Sequence, residues 1–202
     1  MKSLFITVTV IFCTCSLIAQ TVDVAQEPTD ISPLLIGEKI PSISLLDVNG
    51  KNVDLQALAS RKQSILVFYR GGWCPYCNLH LAELQTIEPD ILAAGYQIIA
   101  ISPDSPESLS ASVEKNKLNY ILLSDNDAEL IKAFGLAFKA PERYVELLNK
   151  SSGGKNKGVL LPVPAVFILN KQGDILFEYI NPDYKKRLKG SLLMAALKEL
   201  KE

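Results

Sequence analysis

Short apolar runs, several of them rich in valine and isoleucine, alternate along the chain with stretches in which apolar residues recur at helical spacing. Apolar runs that lie between turn-forming residues are typical of buried strands. Strands are therefore predicted at residues 64–69, 97–102, 120–123, 165–169 and 175–179. The segment that joins the last two strands is polar and contains glycine, which predicts a hairpin.

Helical spacing and capping residues predict the elements between these strands. We expect helices from Cys74 to about Ala94, from Pro106 to about Asn116, from Asp127 through Phe134, from Pro141 to Leu148, and from Ser191 to Lys201. Asp127 is the expected cap of the third of these helices. Pro89 lies inside the first and predicts a kink or a split there, because proline lacks the N–H group that a helix interior requires.

A hairpin is also predicted ahead of these elements. Apolar and polar residues alternate within residues 40–53, and Asn49 and Gly50 are typical of a hairpin turn. Residues 54–58 predict a short helical turn, and the polar residues 151–158 predict an exposed loop. Strands that alternate with helices and end in a hairpin and a helix indicate an α/β fold built around a central sheet.

Composition limits the size and the partners of this fold. The chain has 202 residues, of which 48% are hydrophobic, enough for one well-formed core and too few for two domains of ordinary size. The formal net charge is −1, and no run rich in lysine and arginine interrupts the sequence. This balance argues against nucleic acid as a partner.

The first segment of the chain is typical of a secretory signal peptide. Lys2 gives a positive start, residues 4–13 an apolar centre, and residues 16–20 a plausible cleavage region. An uncleaved membrane anchor is the alternative, but the apolar stretch is short for a span and is interrupted by threonine. We therefore expect residues 1–20 to direct export to the periplasm or the outside of the cell, with no stable membrane association after their removal.

The predicted cleavage leaves a simple mature chain. Residues 21–36 are polar, contain prolines and predict a flexible leader, and residues 37–202 form the domain. Cys13 and Cys15 would leave with the signal peptide, so that Cys74 and Cys77 alone remain. A single close pair in an exported protein of this size is not a disulfide framework, and this leaves the pair available for chemistry.

The two cysteines lie where a predicted strand meets a predicted helix. A sulfur at Cys74 would lie at the helix N-terminus, where unpaired N–H groups and the helix dipole stabilise a thiolate. Arg70 adds a cation four positions upstream, and Pro75 suits the first helical position. Since the thiolate is the nucleophilic form of cysteine, Cys74-x-x-Cys77 predicts a reactive dithiol.

Other interpretations of the dithiol are weaker. Zinc normally takes four ligands, and the chain has no second C-x-x-C pair and only one histidine, His80. Cys77 and His80 share a helix face, so a copper carrier stays open but has few ligands. A structural disulfide would close too short a loop to constrain the unfolded chain much. We also expect no cofactor, because neither pair of adjacent glycines fits a phosphate-binding loop.

Four stretches together resemble one family. They are residues 68–77 (Phe-Tyr-Arg-Gly-Gly-Trp-Cys-Pro-Tyr-Cys), residues 101–104 (Ile-Ser-Pro-Asp), Val163-Pro164 and the strand at residues 165–169. With the order of elements, they resemble the thioredoxin superfamily, and within it the peroxiredoxin-like branch of the alkyl hydroperoxide reductase/thiol-specific antioxidant family. The resemblance covers about residues 36–201. It implies a thioredoxin-like fold, in which helices flank a mixed sheet and a hairpin extends the N-terminus.

The resemblance also implies a mechanism and a site. Cys74 would attack a hydroperoxide, Cys77 would resolve the resulting sulfenic acid as a disulfide, and a thioredoxin-like reductant would reset the pair, which is an antioxidant activity. Pro164 matches the proline, commonly cis, that faces the thioredoxin disulfide. Trp73, Pro75 and Tyr76 would line the pocket, although Trp73 and Tyr76 are as readily explained by packing.

The chain departs from the family pattern at three positions. The family motif P-x-x-x-T-x-x-C has Val67 at its proline position and Gly71 at its hydroxyl position. Pro164 stands where the family usually has an arginine. Arg70 is the expected replacement cation, and Arg143 is a more distant candidate whose simpler explanation is a solvated surface charge.

Two other functions share these residues. A thiol:disulfide oxidoreductase acting on protein disulfides outside the cytoplasm would use the same dithiol and differ in its first substrate. A non-catalytic module that binds a metal or a partner would use the same pocket. His80 is an acid or base candidate, but a helix-surface or half-buried histidine is the more common explanation.

Overall fold

The computed structural model describes residues 24–200. The predicted signal peptide, residues 1–20, lies outside the described residues. Within residues 24–200, no helix combines the length and the apolar character needed to cross a bilayer.

Nine strands are found in the described part of the chain. They are β1 (Ser44–Leu46), β2 (Asn52–Asp54), β3 (Gln63–Phe68), β4 (Tyr96–Ser102), β5 (Ile121–Ser124), β6 (Ala137–Lys139), β7 (Leu160–Pro162), β8 (Ala165–Leu169) and β9 (Ile175–Ile180). Seven of them form one mixed sheet in the order β2-β1-β5-β4-β3-β8-β9, and β6 pairs with β7. The predicted central mixed sheet and N-terminal hairpin are thus confirmed.

Six α-helices accompany these strands within residues 24–200. They are α1 (Leu55–Arg61), α2 (Pro75–Ala93), α3 (Pro106–Asn116), α4 (Glu129–Ala133), α5 (Val145–Ser151) and α6 (Gly190–Glu199), and a 3-10 turn at Glu142–Tyr144 precedes α5. Side chains of α1 and α4 pack on one face of the sheet, and those of α2, α3 and α6 on the other. Helices therefore flank the sheet on both faces, as predicted.

The register of the central strands determines which loops meet at the end of β3. β4 runs parallel to β3 and aligns Phe68 with Ile101, while β8 runs antiparallel and aligns Phe68 with Ala165. The N–H of Tyr69 donates to the carbonyl of Ile101 at 3.0 Å and extends the pairing by one residue. As a result, the loop after β3 lies beside the loop after β4 and the entry to β8.

Several local predictions were wrong. Pro89 does not split α2, which runs unbroken over Pro75–Ala93. Asp127 is not the main cap of α4, because the Asp125 carboxylate accepts both the Leu130 and the Ile131 N–H at 2.9 Å. The segment at residues 151–158 is not wholly exposed. Its Ser152 and Asn156 are buried, and Asn156 holds Leu160 through two hydrogen bonds.

Part of the predicted flexible leader packs on the domain, although Leu35 and Ile36 at its end are exposed. Ala25 forms a bridge with Phe138 of β6, and the N–H of Leu34 donates to the carbonyl of Phe134 at 3.1 Å. Ile31 and Leu34 pack against the core face that holds α4. The polar composition concealed this packing, because a few apolar side chains suffice to hold the segment.

We predict that Gly135→Ala destabilises the protein through this segment. Gly135 has φ +65°, and an added Cβ would lie 1.8 Å from the Ser32 carbonyl oxygen. Gly50→Ala is the control, because Gly50 has φ +77° but no atom within 4 Å of an added Cβ. Backbone strain alone should lower the free energy of unfolding of the control by about 1–2 kcal/mol. Gly135→Ala should lower the free energy of unfolding clearly more than this, as measured by urea unfolding. Equal losses in the two variants would show that the Ser32 contact is unimportant.

Candidate active site

Backbone geometry places Cys74 at the start of α2. Cys74 is the N-cap residue, with φ −86° and ψ 117°, and Pro75 follows within the first helical turn. The carbonyl of Cys74 accepts the N–H groups of Cys77 and Asn78, both at 3.1 Å. The sulfur therefore lies at the helix N-terminus, where the backbone dipole favours negative charge.

The loop between β3 and Cys74 depends on two glycines. Gly71 has φ +142°, and an added Cβ would lie 2.3 Å from Trp73 Nε1 and 2.8 Å from Asp104 Oδ1. The N–H of Gly72 donates to Asp104 Oδ2 at 2.7 Å, and its carbonyl accepts from Asn78 Nδ2 at 2.8 Å. A threonine at position 71 would not fit this loop, and this explains why the hydroxyl of the family motif is missing here.

The two thiols differ strongly in acidity. Both cysteines are free, and Cys74 and Cys77 are 1% and 0% exposed. The pKa of Cys74 is lowered to about 6, chiefly by the hydrogen bond that the Cys77 thiol donates, with help from the Cys77 N–H, Arg70 and Arg187 and against the effect of burial. Burial raises the pKa of Cys77 well above its ordinary value. At neutral pH the pair is a Cys74 thiolate beside a Cys77 thiol.

Arg70 is held in an aromatic enclosure beside the thiolate. Its guanidinium carbon lies 5.0 Å from the Trp73 ring centre, 4.8 Å from that of Tyr144 and 4.2 Å from that of Tyr184. The side chain is 4% exposed. In residues 24–200 the only ion pairs are Lys39 with Asp174 and Lys132 with Glu129. No carboxylate in that range therefore neutralises Arg70, and its field acts on Cys74.

A cavity of about 430 Å³ opens beside this enclosure. Arg70, Tyr144, Pro164 and Tyr184 line it, together with residues from the packed leader and from β6. Most of the wall is proline and aromatic side chain, and the charged residues in it are Arg70, Arg143, Lys139 and Glu27. The cavity therefore offers a mainly apolar approach to the active-site loop.

Pro164 lines the cavity but is not a cis proline. No peptide bond in residues 24–200 is cis, so the predicted cis form is wrong. Trans is the form that most X–Pro bonds adopt in folded proteins. The N–H of Val163 donates to the Leu136 carbonyl at 2.9 Å, and the Pro164 carbonyl accepts from Asn181 at 3.2 Å, which holds the chain extended between β7 and β8.

The other predicted side chains have distinct places. Trp73 is half-buried between Arg70 and Tyr144, and Tyr76 is 38% exposed with its ring 5.8 Å from that of Tyr184. Trp73 therefore packs in the enclosure, whereas Tyr76 forms part of the rim. Arg143 is exposed and stacks on the outer side of Tyr144.

His80 is more buried than predicted. It is 5% exposed, and burial, helped by Arg187, lowers its pKa to about 4. His80 is therefore neutral at physiological pH. Among residues 24–200, no group of three or more histidine, cysteine, aspartate or glutamate side chains has the arrangement of a metal site.

Four residues of the site were missed by the sequence analysis. Tyr144 and Tyr184 complete the enclosure of Arg70, Asp104 holds the Gly72 N–H, and Arg187 Nη2 lies 3.5 Å from Cys77 Sγ. Arg187 is 110 positions away from Cys77 in the sequence. Tyr144, Tyr184 and Arg187 carry no local signal, because tyrosine and arginine in polar loops are usually surface residues. Asp104 ends the Ile-Ser-Pro-Asp stretch that carries the family resemblance, but that stretch gave it no role.

Comparisons with known proteins agree with this geometry. A model of the AhpC/TSA family matches residues 36–177. The chain is 33% identical over 106 residues to peroxiredoxin Bcp of Escherichia coli (strain K12), an alignment that covers 52% of this chain and 67% of that protein. It is 29% identical over 153 residues to a putative peroxiredoxin of Mycobacterium tuberculosis (strain H37Rv), covering 76% of this chain and 89% of that protein.

A comparison with solved structures gives the same fold. The crystal structure of reduced Prx3 from Vibrio vulnificus in complex with hydrogen peroxide superposes with a TM-score of 0.69. Its sequence identity to this chain is 19%, and the match covers 82% of this chain and 96% of that one.

We predict that Arg70→Gln raises the pKa of Cys74 by about one unit, because a nearby cation that favours the thiolate is lost. The thiolate absorbance of the wild-type protein should rise with pH through a midpoint near 6, the pKa of Cys74. Arg143→Gln is the matched control and should leave the midpoint unchanged, since Arg143 is exposed and is not among the groups that lower the pKa of Cys74. Identical midpoints for Arg70→Gln and the wild type would contradict the role assigned to Arg70.

Proposed function

Because the chain belongs to the AhpC/TSA family, whose members similar to it are peroxiredoxins, we propose that it reduces hydroperoxides with Cys74 as the attacking sulfur and Cys77 as the resolving thiol. Its activity is that of a thiol-dependent peroxidase and therefore of an oxidoreductase. The observation that carries the two assignments is the opposite shift of the two pKa values, down for Cys74 and up for Cys77.

The first step consumes the peroxide. The Cys74 thiolate attacks the terminal oxygen of the hydroperoxide, an S–O bond forms, and the O–O bond breaks. The departing alkoxide takes a proton and leaves as an alcohol, or as water when the substrate is hydrogen peroxide. Arg70 supports this step because its positive charge stabilises the Cys74 thiolate. None of the carboxylates among the described residues forms an ion pair with Arg70.

The second step forms the disulfide, and the third resets it. Cys77 lies one helical turn from Cys74, so its sulfur can replace the hydroxyl of the sulfenic acid without a rearrangement of α2. An external dithiol protein of the thioredoxin type then returns both sulfurs to thiols by exchange. Since the two cysteines are 1% and 0% exposed, such a reductant reaches them only after the covering residues move.

Burial favours a small first substrate over a protein disulfide. Cys74 is 1% exposed and adjoins an enclosure lined by Arg70 and its aromatic neighbours. The end of a hydroperoxide needs little room, whereas a protein disulfide must bring extended backbone to the sulfur. The alternative function as a thiol:disulfide oxidoreductase has no comparable support from the geometry.

We also propose that the protein acts outside the cytoplasm. This proposal is supported by the positive, apolar and small-residue segments of residues 1–20. An exported peroxidase needs a reductant in the same compartment, so the partner would be an exported dithiol protein.

Cysteine substitutions test the assignment of roles. Cys74→Ser should abolish peroxide consumption, because the attacking thiolate is gone. Cys77→Ser should still consume about one equivalent of peroxide and accumulate a sulfenic acid, which a dimedone-type probe followed by intact-mass spectrometry would detect.

Stopped-flow mixing of the reduced wild-type protein with hydrogen peroxide supplies the control. A rate constant no larger than that of a free thiol at the same pH would contradict the peroxidase function. Turnover in Cys74→Ser would contradict the assignment of Cys74, whichever substrate is used.

Expression of the full chain in a bacterial host tests export. We expect the protein recovered from the periplasm or medium to begin near residue 21 when its N-terminus is sequenced. A chain that starts at Met1 and stays with the cytosolic fraction would contradict the proposal.

A further inference from the structure

The proposed function requires Cys77 to lose its proton, although its thiol is buried. Its thiol is fully buried, and burial raises its pKa well above the ordinary value. While Cys74 is a thiolate, the Cys77 proton is useful as a hydrogen-bond donor. Once Cys74 has become a sulfenic acid, the same proton must leave, because the thiolate is the form that attacks. A buried thiolate needs a compensating charge.

Arg187 is positioned to supply that charge. Its Nη2 lies 3.5 Å from Cys77 Sγ, and its Nε is buried without a hydrogen-bond partner. Its Nη1 donates to the carbonyls of Tyr184 and Lys186. The ion pairs among residues 24–200 do not include Arg187, so its charge is not cancelled by a carboxylate in that range.

The loop that carries Arg187 is fixed to α2, the helix of the dithiol. Leu188 is 2% exposed and packs in the core beneath that helix. The N–H of Gly190 donates to Glu83 Oε1 at 2.7 Å, and the Tyr184 ring contacts the Tyr76 ring. The distance between Arg187 and Cys77 is therefore set by contacts on both sides of the arginine.

Within residues 24–200, the other ionisable groups that face Cys77 do not supply the same effect. Tyr69 is buried, and burial raises its pKa well above the ordinary value, so it stays a neutral phenol. His80, one turn further along α2, is neutral above about pH 4 because burial and Arg187 lower its pKa. Arg70 faces Cys77 with its backbone N–H and lies with its guanidinium among aromatic rings.

We propose that Arg187 is a catalytic residue of the resolving step, in which it stabilises the thiolate of Cys77 as that thiolate attacks the Cys74 sulfenic acid; the proposal rests on the peroxidase function proposed above. In this step Cys77 gives up its proton, an S–S bond forms, and the S–O bond of Cys74 breaks. The hydroxide that leaves takes up a proton, so the net product is one disulfide and one water. Arg70 and, to a smaller degree, Arg187 thus support the Cys74 thiolate that attacks peroxide, and Arg187 in addition supports the closure of the disulfide.

A pair of rate constants measured in one experiment tests the proposal. The reduced protein is mixed with one equivalent of hydrogen peroxide, quenched with acid at intervals, and analysed by intact mass for sulfenic acid and disulfide. For Arg187→Gln we expect disulfide formation to slow by about tenfold, the factor for one hydrogen bond to a charged group. The peroxide step should slow less, because Arg187 makes the smallest of the contributions that lower the pKa of Cys74. The pH midpoint of disulfide formation should also move upward.

Two further variants separate charge from structure. Lys186→Gln removes an exposed cation one residue away and should match the wild type in both steps. Arg187→Lys keeps the charge and should restore part of the closure rate, and Arg187→Met, which also removes the charge, takes the place of Arg187→Gln if that variant does not fold. A sulfenic acid that is converted slowly to the disulfide can be oxidised further by peroxide. Arg187→Gln should therefore also accumulate more sulfinic acid than the wild type under excess peroxide.

The outcomes distinguish the two proposals. If Arg187→Gln, or Arg187→Met where the first variant does not fold, closes the disulfide at the wild-type rate with the wild-type pH profile, the role of Arg187 is wrong and the peroxidase function stands. If no variant, including the wild type, reacts with peroxide faster than a free thiol, the peroxidase function fails first. If Lys186→Gln slows disulfide formation as much as Arg187→Gln does, the effect comes from the overall charge of the loop and not from Arg187, and the proposal is overturned.

Discussion

A sulfur anion inside a nearly closed protein site is the interaction around which this molecule is arranged. Water is largely excluded from Cys74, so the protein must supply what solvent would otherwise give to the charge. It does so with the N-terminus of α2, the thiol and N–H of Cys77, and the positive charges of Arg70 and Arg187. Burial acts against the thiolate, but the pKa of Cys74 is lowered, so the stabilising groups outweigh the effect of burial.

The two arginines are kept charged and unpaired by different means. Aromatic rings surround Arg70 and attract it by cation–π interaction. Unlike a carboxylate, the rings do not cancel the positive charge of the guanidinium. Arg187 is instead held by backbone carbonyls of its own loop and by the attachment of that loop to α2. Tyr184 belongs to both arrangements, because its ring covers Arg70 and its carbonyl accepts from Arg187.

The loop before Cys74 shows how the site departs from the usual family motif and keeps its chemistry. Gly71 adopts a conformation and a close approach to Asp104 that no larger residue tolerates. The Asp104 carboxylate is buried, and burial raises its pKa to about 6, yet it accepts the Gly72 N–H and so holds the loop. The missing hydroxyl and arginine of the motif are thus replaced by a rigid backbone and by cations from elsewhere in the chain.

Much of the fold followed from local patterns, because strand and helix periodicity, turn residues and caps act over a few neighbouring positions. β3, β4, β8, β9, α2 and α3 were predicted close to their observed bounds, while the three-residue strands β6 and β7 are too short to give a pattern. Asp125, which replaces Asp127 as the main cap of α4, could not be identified because both acids suit that role by type.

The sequence by itself determined that Cys74 and Cys77 stand at a strand-to-helix junction with Arg70 and Pro75 beside them, since all four lie within one local segment. Only the tertiary structure decided which distant residues complete the site. Tyr144 and Tyr184 reach Arg70, and Arg187 reaches Cys77, through segments whose positions depend on the packing of α5, β9 and α6. The trans form of Pro164 is likewise seen only in the tertiary structure, because the resemblance implied a cis bond at a position where either isomer is allowed by the local sequence.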